Sequence, residues 1–223
     1  MKTTIDLTCP ACGTGHTASV YLGINTAEQP HLKAAVRDGS LFLWECPHCG
    51  RRNLINTQLL YHDPEQRLMV WLLPEGLLSP EKEKEVSGAL QQQFAGEAGL
   101  DGYTMRRVSQ AGDLIEKVNI HDAGLDDVVM EMVKWLTRRE LSEKESGARA
   151  GEILRAPFRF YRMEGADNDL SLTFPLGGAM QMVPVGFNVY EDCRGIVLRN
   201  PAVRPPEKGF AVVDAAWIES FLG

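Results

Sequence analysis

The sequence predicts an α+β fold, and three observations in its 223 residues predict it. Two copies of Cys-Pro-x-Cys-Gly stand in the first fifty residues, each between stretches of strand-like composition. From residue 80 to 141 apolar side chains recur at helical spacing. Beyond residue 152 the pattern turns to period two with Gly and Pro punctuation. Three parts are expected: a domain over 1–79 built on the cysteine turns, a helical segment over 80–145 packing on it, and a β-rich unit with a terminal helix over 152–223.

In the first part, residues 4–8 lead into Cys9-Pro10-Ala11-Cys12-Gly13 and 16–21 leave it. Residues 41–45 lead into Cys46-Pro47-His48-Cys49-Gly50 and 53–59 leave it. The insert between the turns holds a short helix over 28–37: Pro30 suits a first helical turn, and Leu32, Ala35 and Val36 make its apolar stripe. Asp38-Gly39 ends that helix. A further strand is expected over 68–73, closed by Pro74.

Ser79-Pro80-Glu81 starts the helical part with a hydroxyl cap, a proline at the first position and acids in the first turn. Its first helix runs over 81–94, with Val86, Leu90 and Phe94 on one face and a break over 96–102. Residues 103–108 are expected as a strand, and Ser109 as the cap of a short helix through Val118. The strongest helix spans 125–141, with acids Asp126 and Asp127 in its first turn and Arg138 and Arg139 in its last. Residues 142–151 read as a polar linker or loop. Strands follow over 158–162, 170–174, 181–190, 195–199 and 210–213, and Asp214 caps a last helix over 215–222.

Each CPxCG turn places two thiols on one tight bend, and two bends facing each other give the tetrahedral sulfur cage that Zn²⁺ prefers. Strand, knuckle, strand, twice over, is the plan of a zinc ribbon. The expected ligands are Cys9, Cys12, Cys46 and Cys49, holding one structural zinc. Disulfides and a thioredoxin-like redox pair are the rivals, with iron a third. The N-terminal residues carry no apolar core of a secretory segment, and no run approaches the ~18 apolar residues of a membrane span. A reducing cytoplasm is the expected location, and metal ligation prevails over disulfides there. Four cysteines leave no open position for a substrate water, so the expected zinc is not a reaction centre.

Net charge is −7. Basic and acidic side chains number 6 and 7 over 1–79, 11 and 15 over 80–156, and 6 and 8 over 157–223. No segment supplies the positive face that phosphate neutralisation requires, which disfavours nucleic acid as a partner.

The paired CPxCG turns, Pro30-His31-Leu32-Lys33, Asp38-Gly39-Ser40-Leu41, Leu60-Tyr61-His62-Asp63-Pro64 and Leu114-Ile115-Glu116-Lys117 together resemble the bacterial and archaeal CpXC domain. The resemblance covers residues 3–125, with the helix to 141 often following, and leaves the C-terminal unit outside. It implies that the metal ligands carry over to Cys9, Cys12, Cys46 and Cys49. It implies little about activity, because that family is described by its cysteines rather than by a reaction.

Other residues invite chemistry and have plainer explanations. His62 and Asp63 are adjacent, so on a strand they point to opposite faces and make no dyad; Asp63-Pro64 is more economically a turn. His121, Asp122, Asp126, Asp127 and Glu131 gather at the start of the long helix, where a hard metal competes with capping and dipole compensation. His16 and His48 flank the knuckles, but four thiolates need neither. Cys193 is a lone structural thiol at the end of a strand, and Gly177-Gly178 is a turn. No catalytic residue is assigned.

The expected function is a non-catalytic zinc-binding interaction or scaffold module whose partner is another protein, with no membrane. One alternative is a nucleic-acid-binding ribbon using Trp44, Trp71, Arg51 and Arg52. The other is an enzyme with a site between the ribbon and the C-terminal unit.

Overall fold

The computed structural model describes residues 1–97, 100–206 and 209–222, and the chain divides into two compact units. Unit one comprises Met1–Ile115 and Glu207–Ala211; unit two comprises Glu116–Pro206 and Val212–Gly223. The mixture of helices and strands bears out the α+β class.

Unit one opens with β1 (Lys2–Thr8) and β2 (Gly15–Tyr21), antiparallel from Lys2↔Tyr21 to Thr8↔Gly15, with the first cysteine turn between them. A short β3 (Gly23–Asn25) follows, then α1 (Pro30–Arg37), which buries Leu32 and Val36. Proline costs α1 no hydrogen bond at its first turn, where the N–H has no helical partner. Gly39, at φ 78°, turns the chain through a 3₁₀ segment at Ser40–Phe42 into β4 (Leu43–Glu45). The second cysteine turn joins β4 to β5 (Arg52–Leu54), and these pair antiparallel. Strand, turn, strand therefore occurs twice, as the sequence predicts.

The rest of unit one is β6 (Leu59–Asp63), β7 (Leu68–Leu72), α2 (Pro80–Glu97) and β8 (Thr104–Val108). The sheet order is β3-β6-β7-β8, with β6 and β7 antiparallel and the outer pairs parallel. Every residue of β7 is buried, so both its faces are covered, which is why its sequence reads as an unbroken apolar run. The break expected over 96–102 lies in part outside the described residues.

The division between units falls within α3 (Ala111–Asp122), which starts one residue later than the expected Ser109 cap implies. Next comes α4 (Asp127–Glu143), whose Asp126 cap accepts the N–H groups of Val128 and Val129 at 2.8 and 3.4 Å. Residues 142–151 are not a linker: they finish α4 and begin α5 (Gly147–Arg155), which buries Ile153. Small residues at Gly147, Ala148, Ala150 and Gly151 hide the helix because they carry almost no periodic signal.

Strands β9 (Arg159–Glu164), β10 (Asp169–Leu176) and β11 (Ala179–Val185) form an antiparallel sheet in the order β11-β10-β9. Leu170, Leu172 and Phe174 of β10 are buried, and Phe158 stacks on Phe174 at 4.2 Å. The strand expected over 181–190 ends at Val185, and residues 195–199 are helical. Both corrections belong to α6 (Phe187–Arg199), which buries Tyr190, Cys193 and Val197 at helical spacing. Of the strand expected over 210–213 only a single bridge remains, Ala211 to Arg106. The chain ends in α7 (Ala215–Leu222), where Asp214 accepts the Trp217 N–H at 2.8 Å.

Candidate metal centre

The two cysteine turns are built alike. In the first, Gly13 N–H donates to the Cys9 carbonyl at 2.9 Å and Cys9 N–H to the Thr14 carbonyl at 3.0 Å. In the second, Gly50 N–H donates to Cys46 at 2.8 Å and Cys46 N–H to Arg51 at 2.9 Å. Gly13 and Gly50 adopt φ of 71° and 70°, the left-handed region in which a Cβ is strained. The repeated glycine is therefore a geometric requirement of the knuckle.

These turns bring Cys9, Cys12, Cys46 and Cys49 together with all four sulfurs within 4.8 Å of one another. Cys9 and Cys46 are buried, Cys12 and Cys49 exposed. Two cross-turn edges, Cys9 to Cys49 and Cys12 to Cys46, each measure 3.7 Å. A regular tetrahedron with metal–thiolate bonds of about 2.3 Å has edges of about 3.8 Å. The cage thus fits a four-coordinate thiophilic ion, and the five cysteines of the chain are free of disulfides. Among the described residues this quartet is the group of His, Cys, Asp or Glu ligand atoms that converges well enough to hold a metal ion.

Electrostatics divide the four thiols. Cys12 is drawn down to about 5, first by the Thr14 hydroxyl 3.3 Å away and then by the Thr14 backbone. Burial opposes ionisation of Cys9, but the backbone N–H groups of Cys12 and Ala11 outweigh it and lower the thiol. Cys49 is pushed up to about 12: the Arg51 backbone favours its thiolate, yet burial and the three neighbouring sulfurs prevail. Four thiols this close cannot all ionise without a counter-charge, which a bound metal cation would supply.

Around the sulfurs stand groups that orient them. His16 Nε2 lies 3.5 Å from Cys46 Sγ, and Asn53 Nδ2 lies 3.9 Å from Cys9 Sγ. The sequence treats His16 as spare; the structure places its ring against the cage and 5.9 Å from the Trp44 ring. His48 is exposed on the second turn. Beside the cage runs an open groove of about 580 Å³, lined by Leu7, Pro10, Trp44, Arg51, Arg52 and Leu54 among others. Trp71, the fourth candidate for stacking, is buried instead against Phe210 at 5.8 Å.

The remaining candidates separate. Asp63 is buried on β6, where it takes Lys33 Nζ at 2.8 Å, Tyr61 Oη at 3.1 Å and the Gln66 N–H at 3.2 Å. Its strand neighbour His62 points the other way, to Tyr103 Oη at 3.1 Å. Within unit two, Asp126 is spent on its cap, while Asp127 and Glu131 enter an ion cluster that the sequence does not disclose. Lys117 Nζ meets Asp127 at 2.9 Å, Glu131 at 3.4 Å and the Val213 carbonyl at 2.8 Å. Lys134 Nζ meets Glu131 at 2.8 Å and both Glu116 oxygens at 2.9 and 3.0 Å, and Glu116 also accepts the Phe160 N–H at 2.7 Å. All five side chains are buried. Asp127 and Glu131 are thus neutralised by lysines rather than gathered for a hard metal. The available signal was spacing: Asp127, Glu131, Lys134 and Arg138 fall on one helical stripe. Cys193 is buried in α6 rather than at a strand end, and burial pushes its thiol up to about 11.

A family model described as CpXC protein matches residues 7–134, more than half of the chain. No curated protein and no solved structure matches.

Proposed function

The chain belongs to the CpXC family, and from that premise we propose that it is a zinc protein whose metal is a structural staple and whose ribbon serves as an interaction module. The carrying observation is the sulfur quartet with its 3.7 Å edges. Cys9, Cys12, Cys46 and Cys49 would hold one Zn²⁺, and four thiolates leave it no open position for a substrate. The chemistry the ion supplies is cross-linking of β1–β2 to β4–β5, and the thiols stay available for it in a reducing cytoplasm. These paired strands are short and offer little core of their own. A structural zinc contributes on the order of 10 kcal/mol in small zinc domains, as much as the entire stability of many proteins. Metal removal should therefore unfold the ribbon.

A rigid ribbon with exposed Leu43 and Leu54 suits docking of another protein, and the acidic charge balance supports a protein over a polyanion. The test is capture on immobilised zinc-loaded chain, compared with Leu54→Glu and with the chelated protein. A stoichiometric protein lost in both controls supports the proposal; capture indifferent to zinc and to Leu54 contradicts it.

One observation favours a second reading. Trp44, Arg51 and Arg52 line the same groove, the arrangement a single-stranded nucleic acid uses for stacking and phosphate contact. A gel shift at low salt decides it, since an absence of shift there removes the electrostatic attraction it needs.

A further inference from the structure

We propose that the free edge of β11 is a self-association surface, on which a second copy of this chain adds its own β11 antiparallel about a two-fold axis. Among the described residues β11 pairs with β10 alone and ends the sheet. An edge strand presents unpaired N–H and C=O groups, and folded proteins guard such edges with charge, bulges or cover. The opposite edge is guarded in this way. Strand β9 carries Arg159, Arg162 and Glu164, and its register with β10 shifts at Ser171/Leu172.

From Ala179 to Val183 strand β11 has no such protection. Ala179, Met180, Gln181 and Met182 are exposed in succession, so neither face of this stretch is covered. Met180 and Met182 are 64% and 52% exposed, high values for apolar side chains in a strand. Between Asp169 and Glu191 the chain carries no Asp, Glu, Lys or Arg, although 24% of all its residues are charged.

The strand's own sequence identifies the occupant. Met180-Gln181-Met182 reads the same in both directions. Antiparallel pairing centred on Gln181 sets this amide opposite its own copy and Met180 opposite Met182 of the other copy, apolar against apolar and amide against amide. Each chain carries a net charge of −7, so two copies approach at least electrostatic cost where neither is charged. A partner selected by charge finds nothing to recognise here. Pro184 has no N–H to give, which confines pairing to the stretch from Ala179 to Val183. Five residues contribute only a fraction of the roughly 20–30 per side in a stable interface. The dimer is therefore weak and populated at high concentration.

Sedimentation velocity of the full zinc-loaded chain, from about 10 to about 500 µM, should show the sedimentation coefficient rising toward that of a dimer, as a small interface requires. Gln181→Lys and Gln181→Glu place like charges face to face and should each weaken association about tenfold or more. An equimolar mixture of the two variants should restore it to at least the wild-type level, an outcome that misfolding of either variant cannot produce. Arg162→Ala, on the guarded edge, should change nothing. A monomer across the whole range overturns the proposal, as does association unaffected by both Gln181 variants or a mixture that fails to restore it.

Discussion

Replacing Lys134 with methionine should cost about 3–5 kcal/mol, the range for breaking a buried ion pair by removal of one partner. Lys134 Nζ holds both oxygens of Glu116 and one of Glu131 at 2.8–3.0 Å, and all three side chains are 5% exposed or less. Methionine fills the same space but leaves two carboxylates facing each other with Lys117 as their remaining cation. Burial by itself lowers the Lys134 ammonium, but Glu116 and then Glu131 more than offset it and raise the group above the usual lysine range. A raised lysine stabilises the fold fully below its unfolded pKa near 10.4 and loses that contribution as pH climbs through the folded value. The deficit of Lys134→Met should therefore persist throughout neutral pH. At about 2–4 °C per kcal/mol for a chain of this size, melting falls by about 6–20 °C. Calorimetry on wild type and Lys134→Met measures it. Adding Glu116→Gln removes one orphaned charge yet keeps an acceptor for the Phe160 N–H, so the double variant should regain about 1 kcal/mol or more. A single variant within about 1 kcal/mol of wild type, or a double variant no better than the single, would refute the reasoning, because a buried charge left unpaired must be costly.

Two further outcomes follow from buried groups. Burial alone raises Asp63, but Lys33, the Gln66 N–H and Tyr61 overcome it and hold the carboxyl below its usual range. Its contribution is present above about pH 3.9 and lost as pH falls through the lowered native value, so Asp63→Asn should flatten the acid limb of stability and cost about 1.5–3 kcal/mol at pH 7; acid limbs of equal slope would contradict this. Cys193, fully buried and pushed up to about 11, should resist iodoacetamide at pH 7.5 in the native protein and react once the chain is denatured, which peptide mass mapping checks. Rapid native labelling would show that α6 opens.

What the sequence discloses depends on whether a residue carries its own geometry. The knuckles were legible because cysteine spacing sets the sulfur positions and Gly13 and Gly50 mark positive φ. Strand β7 and helix α4 were legible through long apolar patterns. Helix α6 was not, since Val189, Tyr190, Ile196 and Val197 favour strands by composition and Gly195 imitates a turn; only the burial of Tyr190, Cys193 and Val197 reveals its period. Strand β3 is three residues long, too short for any periodicity, and gains its place by parallel pairing with β6. The buried ions of unit two were hidden for a different reason. Lysine and glutamate are ordinarily surface residues, so Lys117 and Glu116 announce nothing, and the stripe that carries Lys134 names no partner on α3, until α3 and α4 bring these side chains within 3.4 Å of their partners. The sulfur cage was legible almost whole, and His16 and Asn53 at its border were not, because their approach depends on how β2 and β5 pair.

Native mass spectrometry of the purified chain tests the central claim most directly. The account predicts a mass heavier than the bare polypeptide by one zinc ion, with Cys9, Cys12, Cys46 and Cys49 protected from alkylation until a chelator strips the metal and the ribbon unfolds. A chain that carries no metal yet keeps the ribbon folded, or one whose four cysteines alkylate freely beside bound zinc, would contradict it.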